Sequence, residues 1–490
     1  VVRTVWAYGW QLWPLSQVGA ILDKLAGHVM DMLTTTQPLT FQGGVHPPGH
    51  KDLCEDKAIS PGPAVKHLVI LLSQHIGAVC KPLLKKGDTV QEGQKIGDDE
   101  AFVSAPVHSP VTGKVKDVCL QSHPVLGRCL GVVIDVDDPC LAKAAEDKTG
   151  RFAGDFYEAG YTPEQIRDAV RGAGIVGMGG AGFPTRVKIE PNPKWNREAI
   201  IVNGCECEPY IACDYRLMLE RTDQILAGVR LARKAWGCKQ AYIAIEDNKP
   251  AAIEAMKAAL GRSGNPDGID VVTVKTKYPQ GGERQLIRAV LGKMVPTGGI
   301  PPMIGVLVMN VATAAAVADA VVFGHPLTHR VVTVTGQALA RPGNFHVPIG
   351  TAVWDLIQFC GGVTEKAAKV VLGGPMMGIA IADLDTPITK TTNAVTVLTG
   401  QQIGRAKFAG RETPCIRCGR CIEACPENLN PTRIAHAVKK YAWEAAQDNY
   451  ITACIECGCC SYVCPAKIEL TGYIRTGKIF LARQQKKMPQ

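Results

Sequence analysis

The sequence predicts a multidomain α/β protein, and three observations lead there. Its 490 residues exceed what one hydrophobic core organises. Its composition is that of a globular chain, 46% hydrophobic and 20% charged, with 51 Gly and 32 Pro serving as frequent turn signals. Its apolar pattern also changes along the chain, from short strand-like runs to helical stretches alternating with strands, to a β-rich part and a helical tail. The formal excess of nine positive charges is spread out, with no Lys/Arg block of the kind a nucleic-acid arm carries. The plain reading of that excess is a solvated surface; the sharper one is a basic protein that meets acidic partners, such as small acidic electron carriers, or lies near an anionic membrane surface.

Residues 1–39 read as an N-terminal extension. Thr4 to Leu22 is uncharged and holds Trp6, Trp10 and Trp13, but Gln11, Pro14, Ser16 and Gln17 interrupt it. An amphipathic or partly disordered extension ranks first, an interfacial anchor second and a cleaved signal last. Residues 40–140 form the next domain, in which 67–118 holds short apolar runs between turn signals, in two similar halves. The pattern KKGDTVQEGQKIG followed by SAPVHSPVTGKV resembles the barrel-sandwich fold of lipoyl and biotinyl carriers. No lysine stands between Ala101 and Val111 to carry a group, so a structural relative without an attached cofactor is expected.

Over 141–325, helical segments such as TPEQIRDAVRGAG and PAAIEAMKAALGRSG alternate with the apolar strands AIIVNG, QAYIAIE and IDVVTVK. This is an α/β sheet domain, whose ligands bind at the carboxyl ends of the strands. The uncharged run from Met294 to Ala318 contains PTGGIPP, and its apolar remainder is too short to span hydrocarbon; it reads as a buried strand entering a helix. Strand, turn and helix then follow over 326–398 in a β-grasp-like order, and 399–490 is helical.

The helical tail carries the strongest chemical signal. CIRCGRCIEACP has the spacing C-x2-C-x2-C-x3-C-P, and CIECGCCSYVCP repeats it 39 positions on. Three thiolates in one tight turn grip three corners of a [4Fe–4S] cubane, while the fourth, before proline, reaches the other cubane. One cluster then takes Cys415, Cys418, Cys421 and Cys464, and the other Cys454, Cys457, Cys460 and Cys425. Zinc sites also use C-x2-C pairs, but they need neither four cysteines per motif nor the trailing Pro426 and Pro465. Cys459 is surplus and reads as packing. With 19 cysteines in so large a chain and eight of them clustered, the pattern belongs to a reducing compartment rather than to a disulfide scaffold.

GAGIVGMGGAGFPTRVK places Gly172, Gly174, Gly177, Gly179, Gly180 and Gly182 in one run, where backbone N–H groups can approach a phosphate or a flat ring. By itself it weighs equally as a tight loop and as a cofactor site, for it matches neither the P-loop nor the dinucleotide fingerprint. Together with NGCECEP, however, it resembles the flavin-bearing subunit of respiratory complex I. TFQGGVHPPGHK, YPQGGERQLI, GGPMMG and the paired cysteine motifs, in this order, narrow the resemblance to the C subunits of the Rnf complex, the ion-translocating ferredoxin:NAD oxidoreductase. It runs from about Thr40 to the C-terminus.

The resemblance implies an FMN/NADH-binding α/β domain of complex I type and an SLBB-like β-grasp module. It implies FMN held by Gly177, Gly179, Gly180 and Gly182 with Lys188, by Asn203 and Glu206, by Gly282 and Glu283, and by Asn310 and Thr313. Phe183 would stack near the nicotinamide or adenine of NADH, and Glu208 would approach its hydroxyls. It implies electrons passing between NAD(H), FMN and the two clusters, ultimately from or to ferredoxin, without an acid–base triad. The partners would be membrane-embedded and iron–sulfur subunits that move Na+ or H+, with this chain peripheral on the cytoplasmic face of the membrane. Cys205 and Cys207 stand where the complex I subunit has Asp and Ser, and with Cys213 form C-x-C-x5-C; substitution is favoured over a third metal site. Two alternatives are a soluble cobalamin reductase of related sequence, in which the β-grasp module follows the cysteine motifs, and an iron–sulfur wire without flavin.

Overall fold

The computed structural model describes residues 38–138, 152, 158–262, 268–403 and 412–487. The chain divides into two units, Val1–Leu39 and Thr40–Gln490, and the elements below belong to the second. The extension expected over 1–39 lies, as far as residue 37, outside the described residues.

Four parallel strands form the sheet of the α/β layer, in the order Ile269–Val274, Gln240–Glu246, Ala199–Asn203, Val306–Asn310. Their Val/Ile-rich composition suits burial on both faces, as a parallel sheet requires. Helices Pro163–Gly172, Thr222–Trp236, Pro250–Arg262 and Val311–Phe323 accompany it. The uncharged run ending at Ala318 is, as expected, a buried strand entering a helix. Helices Thr222–Trp236 and Val311–Phe323 approach so closely that a Cβ on Gly228 would stand 1.7 Å from the Ala314 carbonyl oxygen. Register sets Asn203 opposite Asn310 at the carboxyl ends of adjacent strands.

The N-terminal β module pairs a four-stranded antiparallel sheet (His67–Leu71, Gly127–Val136, Gly113–His123, Thr89–Val90) with a three-stranded one (Lys81–Pro82, Lys95–Asp98, Val107–His108). Leu68, Ile70, Ile96, Val107, Val132 and Ile134 fill the space between them. The third sheet has six strands, in the order Ile59–Pro61, Gly343–Pro348, His329–Thr335, Ala394–Thr399, Ala367–Leu372, Ile379–Ile381. Helix Val353–Phe359 covers it, with Val332, Val334, Leu356, Ile357, Val395 and Val397 in the core. Its first strand, Ile59–Pro61, comes from far upstream and pairs in parallel with Gly343–Pro348. Residues 40–66 thus run over the later elements, an arrangement that strand periodicity does not encode.

The tail is built from short helices, of which Pro431–Lys439 and Leu470–Lys487 pack on Ile434, Val438, Ala446, Ile451 and Ile474. The two cysteine motifs repeat in backbone as well as in sequence. Left-handed residues recur at Arg417 and Glu456 (φ 56° and 57°), Gly419 and Gly458 (78° and 83°), and Asn428 and Lys467 (54° and 53°).

Candidate functional site

Four loops meet at the carboxyl end of the parallel sheet. The glycine-rich loop leaves helix Pro163–Gly172 and closes on itself, Gly177 N–H donating to the Phe183 carbonyl at 2.9 Å. Met178 N–H donates to the Thr313 hydroxyl at 3.0 Å, which pins the loop to helix Val311–Phe323. A Cβ on Gly179 would press within 2.9 Å of Asn310, whereas one on Gly180 would meet nothing within 4 Å. The loop therefore lays bare backbone beside Asn310 and keeps its face at Gly180 open. Gly182, at φ +70°, takes a backbone form that suits glycine and packs under Thr391 and Gln74.

The remaining expected residues lie around this face. Lys188 Nζ is 2.8 Å from Glu283 Oε1, on the helix that Gly282 caps. Asn203 donates to the Gly281 carbonyl at 2.8 Å and accepts from Cys205 N–H at 3.1 Å. Asn310 accepts from Ala312 N–H at 2.8 Å as N-cap, and donates to Asp214 at 2.6 Å. Phe183 is half-buried. Two helix N-termini, at Gly282 and Asn310, thus flank an open glycine face with one lysine, a donor set that suits a phosphate and a flat ring.

Glu206 and Glu208 sit deeper. The Glu206 carboxylate accepts from Asp214 N–H at 2.7 Å and lies 3.8 Å from Lys51 Nζ. Burial pushes its pKa up to about 7 against the pull of Lys51. Glu208 is turned to the GGPMMG loop, accepting from Met376 N–H at 3.1 Å and Met377 N–H at 2.8 Å, and burial pushes it too up to about 7. Lys51 holds this loop from below, donating to the carbonyls of Glu206 at 2.9 Å, Glu208 at 3.1 Å and Ile211. Of the three cysteines in C-x-C-x5-C, only Cys213 joins a cluster of metal-capable groups, with Glu206 and Asp214; Cys205 points to the Ala244 carbonyl and Cys207 accepts from Gly281 N–H.

The cysteine motifs lie against this same region. Cys425, Cys454, Cys457 and Cys460 line one small void of about 20 Å³, with Leu429, Ile434 and Ile474 around them. Cys421 and Cys464 pack on a second group formed by Ala435, Cys460, Ala466, Ile468 and Leu470, while Cys415 and Cys418 are exposed. Equivalent hydroxyls stand by equivalent thiols, Thr432 3.0 Å from Cys421 and Thr471 3.5 Å from Cys460. Thiols grouped in two repeated turns, one set around an apolar-lined void, suit two cubanes. Cys459 is fully buried against Tyr278 and lines the same void as Cys425, Cys454, Cys457 and Cys460. Sequence reasoning missed Lys51, Tyr278, Asp214 and Arg330, the last buried with its guanidinium on the Met178 and Thr392 carbonyls. Lys51 and Tyr278 belong to TFQGGVHPPGHK and YPQGGERQLI, and Asp214 follows Cys213; membership in, or adjacency to, a motif was the signal that could have found them.

An α/β flavin site joined to a helical domain with two ferredoxin motifs defines a flavin and iron–sulfur electron-transfer protein. Family models agree along the chain: the RnfC barrel sandwich hybrid domain matches residues 39–139, the Nuo51 FMN-binding domain 170–319, the SLBB domain 331–380 and the 4Fe-4S dicluster domain 413–468. The chain is 42% identical to the C subunit of the proton-translocating ferredoxin:NAD(+) oxidoreductase complex of Clostridium ljungdahlii, covering 84% of this chain and 87% of that one. It is 40% identical to the Na(+)-translocating counterpart of Acetobacterium woodii, over 91% and 98%, and 40% identical to the C subunit of the ion-translocating oxidoreductase complex of Rhodobacter capsulatus, over 81% and 74%. The chain belongs to the family of C subunits of the Rnf ion-translocating ferredoxin:NAD+ oxidoreductase complex.

Proposed function

We propose that this chain is the peripheral NAD(H)-reacting subunit of a membrane-bound ferredoxin:NAD+ oxidoreductase, placed on the cytoplasmic face, with FMN and two [4Fe–4S] clusters as its cofactors. Na+ or H+ would be moved by other, membrane-embedded subunits; among the described residues no helix is long and apolar enough to cross a membrane. The observation that carries the reading is the juxtaposition, in one unit, of an open glycine face at the end of a parallel sheet with a domain of two repeated cysteine motifs, whose Cys454–Cys460 turn packs behind it.

FMN, when bound, supplies the exchange between hydride transfer and the one-electron steps of the clusters. The chain's residues supply position and charge. Lys188 and the helix N-termini at Gly282 and Asn310 face phosphate charge, and Gly177, Gly179 and Gly180 let the backbone come close. Asn203 and Asn310, side by side at the strand ends, offer amides to the ring and ribityl edge. Phe183, Glu206, Gly182, Glu283 and Thr313 complete the wall, with Phe183 on the nicotinamide side. The thiols of Cys425, Cys454, Cys457 and Cys460 hold the cluster on the flavin side, and those of Cys415, Cys418, Cys421 and Cys464 the exposed one that meets a partner protein.

An anaerobic assay of iron, zinc and extractable flavin, followed by NADH titration in the visible, tests the reading. About eight irons, as two cubanes require, one FMN and bleaching by NADH support it. Iron without flavin or bleaching leaves a wire, and zinc in place of iron removes both.

A further inference from the structure

Six motifs converge on one place behind the flavin wall. Tyr278, in YPQGGER, is 1% exposed, and its hydroxyl donates to the Cys457 carbonyl at 2.7 Å. Its backbone exchanges two hydrogen bonds with Val45 of TFQGGVHPPGHK, at 2.8 and 2.9 Å, and the Cys459 thiol lies on its carbonyl. One residue upstream of Val45, Gly44 N–H donates to the Ala424 carbonyl at 3.0 Å, next to Cys425. Three residues downstream of Tyr278, Gly281 receives the Asn203 amide on its carbonyl and gives its N–H to Cys207 Sγ at 3.4 Å. Met376 of GGPMMG closes the same space, its carbonyl 3.0 Å from where a Cβ on Gly458 would stand, while its N–H is held by Glu208. Val45, Tyr278, Ala424, Cys457, Cys459, Cys207 and Met376 therefore form one apolar junction between the flavin loops and a single cysteine turn.

We propose that Tyr278 is a positioning residue for flavin-to-cluster electron transfer: its side chain fixes the Cys454–Cys460 turn while its backbone, paired with Val45, anchors the segment that runs on to Gly281 and its bond from Asn203, so that the two redox centres keep one separation. This rests on the reading of a flavin site at the glycine face. Loop and turn come from chain segments 179 residues apart, and among the described residues no continuous helix or strand spans them. The tyrosine, fully buried and bonded at both ends, is the rigid connection. Removing its hydroxyl leaves the Cys457 carbonyl without its donor and frees the turn to shift, and sub-ångström to ångström errors in the position of reacting groups are costly.

The test is Tyr278→Phe in the full chain carrying flavin and clusters, read three ways: bleaching of flavin by NADH in stopped flow, the following reduction of the clusters, and the two cluster signals by electron paramagnetic resonance after dithionite. The expected result is flavin bleaching at the wild-type rate, cluster reduction slowed roughly tenfold or more, and one cluster signal altered while the other is unchanged. Thr432→Val, beside Cys421, serves as the control and should alter the other signal. Wild-type cluster reduction and two unaltered signals in Y278F would overturn the proposal. Should Y278F lose iron, Cys207→Ala loosens the junction from the flavin side and must slow the same step; wild-type behaviour there also overturns it. Failure of the flavin reading is seen separately, as wild-type protein whose flavin NADH does not bleach, and the dithionite signals still decide whether Tyr278 sets the Cys454–Cys460 turn.

Discussion

Lys51 is the side chain on which the flavin-side loop leans hardest. Its ammonium serves three carbonyls of residues 206–211 and faces the Glu206 carboxylate, with only 11% of the side chain exposed. Lys51→Met keeps the length but leaves those acceptors without a donor, a loss on the order of 3 kcal/mol. Chemical denaturation of the variant should show that loss together with lowered flavin retention. Glu206 carries a pH signature. Its pKa is raised by burial from 4.5 to about 7, so its protonated form favours the fold below about pH 4.5 and that contribution is lost as pH rises through 7. Glu206→Gln removes the penalty of burying charge. The variant should therefore gain on wild type between about pH 5 and 8, by on the order of 3 kcal/mol at most. Denaturant midpoints of the two flavin-free proteins across that range check the sign; a constant difference would show that Glu206 does not titrate there.

Among the elements, the helix pair Thr222–Trp236 and Val311–Phe323 decides how well the site is held, because the second helix presents both Asn310 and Thr313 to the glycine loop. The pair packs backbone to backbone at Gly228 and Ala314, with no space for even a methyl group. Gly228→Ala must push the helices apart, costing about 3 kcal/mol, and should lower the melting temperature and flavin retention together. Asn310→Ala removes a helix cap worth about 1 kcal/mol and the donor to Asp214. Its flavin loss should exceed what that small change in stability explains, and equal loss of both would make Asn310 a cap only.

At the scale of the molecule, the two cubane sites are repeats with different surroundings. The Cys454 turn is walled in by Tyr278, Val45 and Met376, while Cys415 and Cys418 are exposed. Cys454→Ser should therefore stop electrons at the flavin, leaving NADH bleaching intact. Cys415→Ser should leave one cluster reducible by NADH and block transfer to the partner protein. Freeze-quench electron paramagnetic resonance separates the two, and indistinguishable variants would remove the order of the clusters.

The periodic parts of this fold are local, and the sequence carries them: the parallel strands AIIVNG, QAYIAIE and IDVVTVK, the helix after Thr162, and the strand entering a helix near Asn310 all stand where the pattern sets them. The thiol spacing is local too, since a cubane demands three cysteines within one turn, and so the donor set is legible without the fold. The course of residues 40–66 was not legible, because a strand of three residues, Ile59–Pro61, and a run of Gly and Pro have no period. Glu208 shows the same limit at the site: the resemblance implied an approach to the hydroxyls of NADH, and its carboxylate is held by the N–H groups of Met376 and Met377, 168 and 169 residues away. Sequence by itself determined which chemical groups this protein carries and which short segments hold them. Which segments touch, which cysteine turn lies toward the flavin loops and which faces outward were decided only by the tertiary structure, because those contacts join residues hundreds of positions apart and depend on how separately formed sheets and turns pack.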